Sequence, residues 1–68
     1  MQRSCCKNYW WDIDEDHRGA IAIFRPLRNG RFGATEVRQR EGWTRQQALV
    51  AVTWLACEHG FAGAKVGA

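Results

Sequence analysis

Five residues of this chain are of types that bind metals or attack electrophiles: Cys5, Cys6, His17, Cys57 and His59. Zinc takes cysteine and histidine in tetrahedral sets. No Cys-x-x-Cys pair is present, and the adjacent side chains of Cys5 and Cys6 point apart on an extended arm. The spacing therefore predicts no metal centre and no cofactor. Cys57 and His59 stand at i and i+2 of a predicted helix and face different ways, so they form no nucleophile–base pair. A second cluster, Asp12, Asp14, Glu15 and Asp16, carries carboxylates. A calcium loop of the EF type needs a glycine and a distal glutamate at fixed positions, and both are missing. A general acid–base pair needs a pocket, and drug-sized pockets take about 300 Å³ or more. The expectation is a solvated acidic turn, with a mimic of nucleic-acid charge that binds basic surfaces as the alternative, and no enzymatic activity.

The third cluster is cationic. From Arg18 to Arg40 there are six arginines, Arg18, Arg25, Arg28, Arg31, Arg38 and Arg40, against one acid, Glu36. The guanidinium fork binds carboxylate or phosphate in a bidentate way. Arg25, Arg28, Arg31 and Arg38 are the candidate anion- or nucleic-acid-binding residues. Directly opposed Arg28 and Arg31 at a hairpin tip repel each other, which an anionic partner would relieve. A charged edge that blocks aggregation is the plainer role for the same residues.

These clusters need elements to position them. Tyr9 to Asp14 reads as a first strand, Glu15 to Gly19 as a turn and Ala20 to Arg25 as a second strand. Asn29-Gly30 is a hairpin signal, because a type I′ turn needs positive φ at both central residues. Phe32 to Arg40 then forms a third strand. The Asn-Gly turn sets Arg28 opposite Arg31, Leu27 opposite Phe32, Ile23 opposite Glu36 and Ala22 opposite Val37. Pro26 breaks this ladder or makes a bulge that reverses the alternation. Trp11, Ile13, Ile21, Ile23 and Val37 are expected to face the helix, leaving Trp10, Asp12, Ala22 and Phe24 on the outer face.

The helix has clear ends. Thr44 reads as its N-cap, Gln47 completes a capping box, and Trp43 stands where a hydrophobic staple residue sits. Gly60 reads as the C′ glycine, with Phe61 folding back onto Leu55 or Ala56. Between the caps, Ala48 to Cys57 is apolar on every side. Ala48, Leu49, Val52, Leu55 and Ala56 form one stripe, and Val50, Trp54 and Cys57 form the opposite one, flanked by Ala51 and Thr53. A helix that is hydrophobic all round expects cover all round, and one small sheet covers a single stripe. Val50, Trp54 and Cys57, together with Trp10, are therefore the candidate protein-binding residues, tryptophan being enriched among interface hot spots. Trp11 and Trp43 are assigned to the interior.

The reading is an α+β fold, a three-stranded antiparallel β-meander followed by one α-helix packed on it (β-β-β-α). Residues 1–8 form an N-terminal arm, 9–61 a single domain and 62–68 a flexible tail. A chain of 68 residues buries only about 60% of its unfolded surface and is marginal without help. Three cysteines, two of them adjacent, do not make a secreted framework. With no apolar run after the N-terminus and none approaching a membrane span, the setting expected is reducing and cytoplasmic.

A three-stranded sheet followed by a helix that opens Trp43-Thr44 and continues to Ala48 resembles the small DNA-binding domains of plant AP2-type factors and of the N-terminal arm region of phage integrases. The resemblance covers residues 9–59. It implies DNA contact through strand residues such as Arg25, Arg31 and Arg38, while Asp12, Asp14, Glu15 and Asp16 would repel phosphate from the first strand and turn. In size and economy the chain also looks like the small inhibitors of bacteriophages and mobile elements, anti-CRISPR proteins among them. The expected function is a non-enzymatic module that binds a larger host protein or nucleoprotein. The alternative is a small DNA-binding regulator, and a third reading is a homodimer paired through the helix.

Overall fold

The computed structural model describes residues 8–61. Most of the arm (1–7, with Cys5 and Cys6) and the tail (62–68) lie outside the described residues. Asn8, read as part of the arm, is tied to the sheet, since its carbonyl accepts the Leu27 N–H at 2.8 Å.

The chain forms β1 (Tyr9–Asp16), β2 (Gly19–Arg28), β3 (Arg31–Phe32), β4 (Glu36–Gln39) and α1 (Arg45–Glu58). All pairing is antiparallel, with β2 in the centre, β1 along one side and β3 and β4 along the other. One helix packs on this sheet, which makes the fold α+β as expected.

The meander departs from the expected one in three places. First, β1 and β2 are longer and joined by a two-residue turn, His17-Arg18, with Asp16 opposite Gly19. That sets Trp11 opposite Phe24 and Ile13 opposite Ala22. Second, the third strand is split. The hairpin pairs are as the Asn-Gly turn dictates, Arg28 with Arg31 and Leu27 with Phe32, and Asn29 and Gly30 both have positive φ. Beyond them the ladder shifts at Pro26, as expected of a bulge there, and Phe24 pairs with Glu36 and Ile23 with Val37. Three residues, Gly33 to Thr35, oppose two, Arg25 and Pro26, so the strand carries one extra residue and its alternation flips. Pro26 explains the site. Leu27 sends its N–H to β1, so the missing N–H of Pro26 belongs to the side facing the third strand, where only its carbonyl can serve. That carbonyl accepts the Gly33 N–H at 2.8 Å.

Third, the opposite face of β2 meets the helix. Tyr9, Trp11, Ile13, Ala20, Ala22 and Phe24 are buried against Ala48, Ala51, Val52, Leu55 and Ala56. Ile21, Ile23 and Val37 instead share the outer face with Trp10 and Asp12. Small side chains explain the choice. Ala20 and Ala22 on the sheet let the helix approach through its own alanines, and the large rings of Tyr9, Trp11 and Phe24 fill what remains. Phe24, fully buried, lies 5.1 Å from the Tyr9 ring and 5.0 Å from the His59 ring.

Both helix ends form as the sequence predicts. The Thr44 side chain accepts the Gln47 N–H and the Gln47 side chain accepts the Thr44 N–H. At the other end the Phe61 N–H reaches the Ala56 carbonyl and the Gly60 N–H the Cys57 carbonyl, the two bonds of a Schellman ending. The Phe61 ring reaches past the helix to Tyr9, at 5.4 Å, and Phe24, at 6.3 Å. The segment before the helix is held by Gly19. Its φ of +131° and the closeness of the Trp43 backbone, 2.9 Å from where a Cβ would stand, exclude a side chain there. The Ala20 N–H bonds the Trp43 carbonyl and the Gly42 N–H bonds the Arg18 carbonyl.

Candidate functional site

The helix stripe predicted to be surplus is uncovered. Val50 is 42% and Trp54 57% exposed, and Cys57 is an exposed free thiol. Ala51, expected on the flank of this stripe, is fully buried, which narrows the open face to a ridge. Gln47, one turn before Val50, and Trp43, just before the N-cap, stand in line with it, and with Arg40 they border a hollow of ≈ 230 Å³ whose wall is completed by Val50 and Trp54. The capping box fixes one rim of this hollow, because Gln47 is both its lining and the N3 residue of the cap. Trp43, assigned to the interior, is only partly buried: one side packs on the core and the other lines the hollow. The lining carries a cation, Arg40, and no acid.

Trp10 does not belong to this surface. It lies on the outer face of the sheet opposite Arg25. Around it on the same face stand Asp12, Ile21, Ile23, Leu27, the half-exposed Phe32 and the 65% exposed Val37. The face assignment made from sequence hid this second apolar surface by placing Ile21, Ile23 and Val37 inside.

The four candidate arginines are dispersed. Arg25 on the outer face lies over the Phe32 ring, with its guanidinium carbon 5.1 Å from the ring centre. Arg28, on the helix side, donates to the His59 carbonyl and covers the Phe61 ring at 5.0 Å. Arg38 also turns to the helix side, opposite Ala22, and its two terminal nitrogens reach Glu58 at 3.0 and 3.2 Å. Its guanidinium holds the Glu58 carboxyl below the ordinary 4.5. Arg31 alone of the four extends from the hairpin tip without such a role. The extra residue at Gly33–Thr35 is what sends Arg25 and Arg38 to opposite faces.

Two further acidic groups, Glu36 and Asp16, fasten the fold. Glu36 meets the His59 imidazole at the helix end. The acidic cluster, expected as a turn, lies wholly within β1, because the turn is only two residues long. Asp16 accepts the Gln39 side-chain amide and the Arg18 N–H, both at 2.8 Å, and these bonds, the amide's first, hold its carboxyl below the ordinary 3.8. His17 is at the β1–β2 turn and His59 at the opposite end, beside Arg28. Among the described residues no three His, Cys, Asp or Glu side chains gather in a way that could hold a metal ion. Nor is any helix among them long and apolar enough to cross a membrane. No protein-family model, curated protein or solved structure matches this chain.

Proposed function

We propose that this protein is a small non-enzymatic binding module that docks a larger protein or nucleoprotein through the Val50–Trp54–Cys57 ridge, in the manner of the small inhibitors made by phages and mobile elements. The observation that carries the reading is Trp54: the largest side chain on the helix is 57% exposed beside a hollow walled by two tryptophans and a valine. A domain this small that leaves a tryptophan in water loses hydrophobic stabilisation it needs, and a partner that covers the ring restores it. The lining suits an apolar side chain with an acidic neighbour, the apolar part beside Trp54 and the acid on Arg40.

The alternative, DNA binding through the sheet, has less to support it. The open face sets Asp12 and Asp14 against Arg25, and two of the other candidate arginines are engaged with the helix end. Phosphate contacts need cations free to neutralise them.

The test is a differential capture. Wild type, Trp54→Asp and Arg31→Glu are immobilised in equal amounts and exposed to host lysate. A protein retained by wild type and Arg31→Glu but lost with Trp54→Asp is then purified and titrated. Trp54→Asp should weaken it about 30-fold or more, the range of a hot-spot residue. If every captured protein also binds Trp54→Asp equally well, the ridge is not the docking surface.

A further inference from the structure

The outer face of the sheet has an apolar centre and charges segregated along its length. Asp12 and Asp14 stand at one end, beside Ile23 and Ile21, and Arg25 stands at the other, beside Trp10. Val37, opposite Ile23, is the most exposed of the large apolar residues, and Phe32 is half exposed. Nothing among the described residues covers this face, since the one helix lies on the other side.

We propose that this face is the interface of a homodimer, in which two sheets stack about a twofold axis lying between them and perpendicular to the strands. The charges select this arrangement. A twofold parallel to the strands would set Arg25 of central β2 against Arg25 of the second copy. A perpendicular axis between the Asp12–Ile23–Val37 row and the Trp10–Arg25 row turns each row onto the other. Each strand then lies over its own copy, so Ile23 and Val37 meet the Arg25 and Phe32 side chains of the second copy and Asp12 meets its Trp10. Arg25 is offset sideways by one strand spacing, about 4.8 Å, from the Asp12 column of the second copy, across sheets about 10 Å apart, a gap that an arginine and an aspartate side chain extending toward each other span. Such a contact is self-complementary, as an isologous interface must be, and it occurs twice. Nucleic acid does not fit the same face, which carries three acids, Asp12, Asp14 and Asp16, for one arginine.

The inference is independent of the proposed function and adds to it. The two helices lie on the outer sides of the stacked sheets, so the dimer displays two Trp54 ridges facing away from each other, an arrangement that gives avidity toward a target with repeated sites.

Sedimentation equilibrium on the full chain tests the proposal. Wild type should show a concentration-dependent dimer. Val37→Asp, at a site exposed enough to keep the fold by circular dichroism, should be monomeric, and Trp54→Asp should dimerise as wild type does. Arg25→Asp and Asp12→Arg should each weaken the dimer by about tenfold or more, since each creates like-charge contacts. An equimolar mixture of the two should form the heterodimer by native mass spectrometry, because both cross-contacts are then opposite in charge. A wild type that stays monomeric at the highest attainable concentration, or a Val37→Asp dimer of unchanged strength, overturns the proposal. So does a dimer lost in Trp54→Asp instead, which would move the interface to the helix.

Discussion

Replacing Gly19 with alanine should be among the most damaging single-methyl changes available in this chain. The added Cβ would stand 2.9 Å from the Trp43 nitrogen and 3.0 Å from its carbonyl oxygen, both backbone atoms that cannot swing aside. Holding a non-glycine residue at φ +131° costs about 1–3 kcal/mol. Relieving the clash must separate the β1–β2 turn from the segment before the helix. That stretches the Ala20–Trp43 and Gly42–Arg18 hydrogen bonds, worth about 0.5–1.5 kcal/mol each. The sum is about 2–6 kcal/mol, against a total of about 3–10 kcal/mol for a domain of this length at typical stability per residue. Gly30→Ala is the control. Its φ is +75° and nothing lies within 4 Å of the added methyl, so it should cost only the left-handed penalty of about 1–2 kcal/mol. Urea unfolding followed by tryptophan fluorescence measures both, and the melting temperature should fall by roughly 4–8 °C for each kcal/mol lost. Because Trp43 lines the hollow, any folded Gly19→Ala protein should also bind a ridge partner more weakly. Equal costs for the two variants would show that the Trp43 backbone does not constrain Gly19, and the account of how the helix is positioned would fail.

Other outcomes follow from the same contacts. Phe24→Ala removes a fully buried ring at the centre of the aromatic cluster and should cost about 3–5 kcal/mol, leaving a largely unfolded chain by circular dichroism at 37 °C. Thr44→Ala breaks the capping box and should cost about 1 kcal/mol in urea unfolding, with the fold unchanged. Acid should destabilise the protein through Asp16 and Glu58. Their folded carboxyls are held below 3.8 and 4.5 by Gln39 and Arg38 respectively, so their contribution is present above those values and is lost as pH falls through the lowered folded ones. Gln39→Ala should flatten the acid limb of a pH–stability curve; an unchanged slope would remove the Asp16 contact from the account.

The helix was legible because its signals are local. Thr44, Gln47 and Gly60 satisfy backbone groups within a turn of themselves, and no distant residue can alter that choice. The Asn29-Gly30 hairpin is local for the same reason. The sheet faces were not legible, because they depend on counting residues between turns. A two-residue turn in place of a five-residue one shifts β1 against β2 by one position, and one extra residue at Gly33–Thr35 flips everything after it. The two faces of β2 also offered a misleading choice, isoleucines on one side and alanines with Phe24 on the other. Bulk suggested that the isoleucines were inside. The small face of the helix, Ala48, Ala51 and Ala56, was the clue to the opposite answer, since small meets small where a helix lies close on a sheet. Of the candidate site, the Val50–Trp54–Cys57 ridge was readable from the 3.6-residue period, while the hollow beside it depends on where Arg40 and Trp43 fall in the fold. The arginine cluster was a cluster only in sequence: Arg28 and Arg38 are drawn to the helix end by the His59 carbonyl and Glu58.

The most direct test of the central claim is a pair of titrations, at low and physiological salt, of wild type and Trp54→Asp against the captured protein partner and against duplex DNA. The account predicts that the protein partner binds wild type with little salt dependence, that Trp54→Asp loses about 30-fold or more of that affinity, and that DNA binds neither. Binding to bare DNA that falls steeply with salt and is indifferent to Trp54→Asp would contradict it and move the function to the arginines.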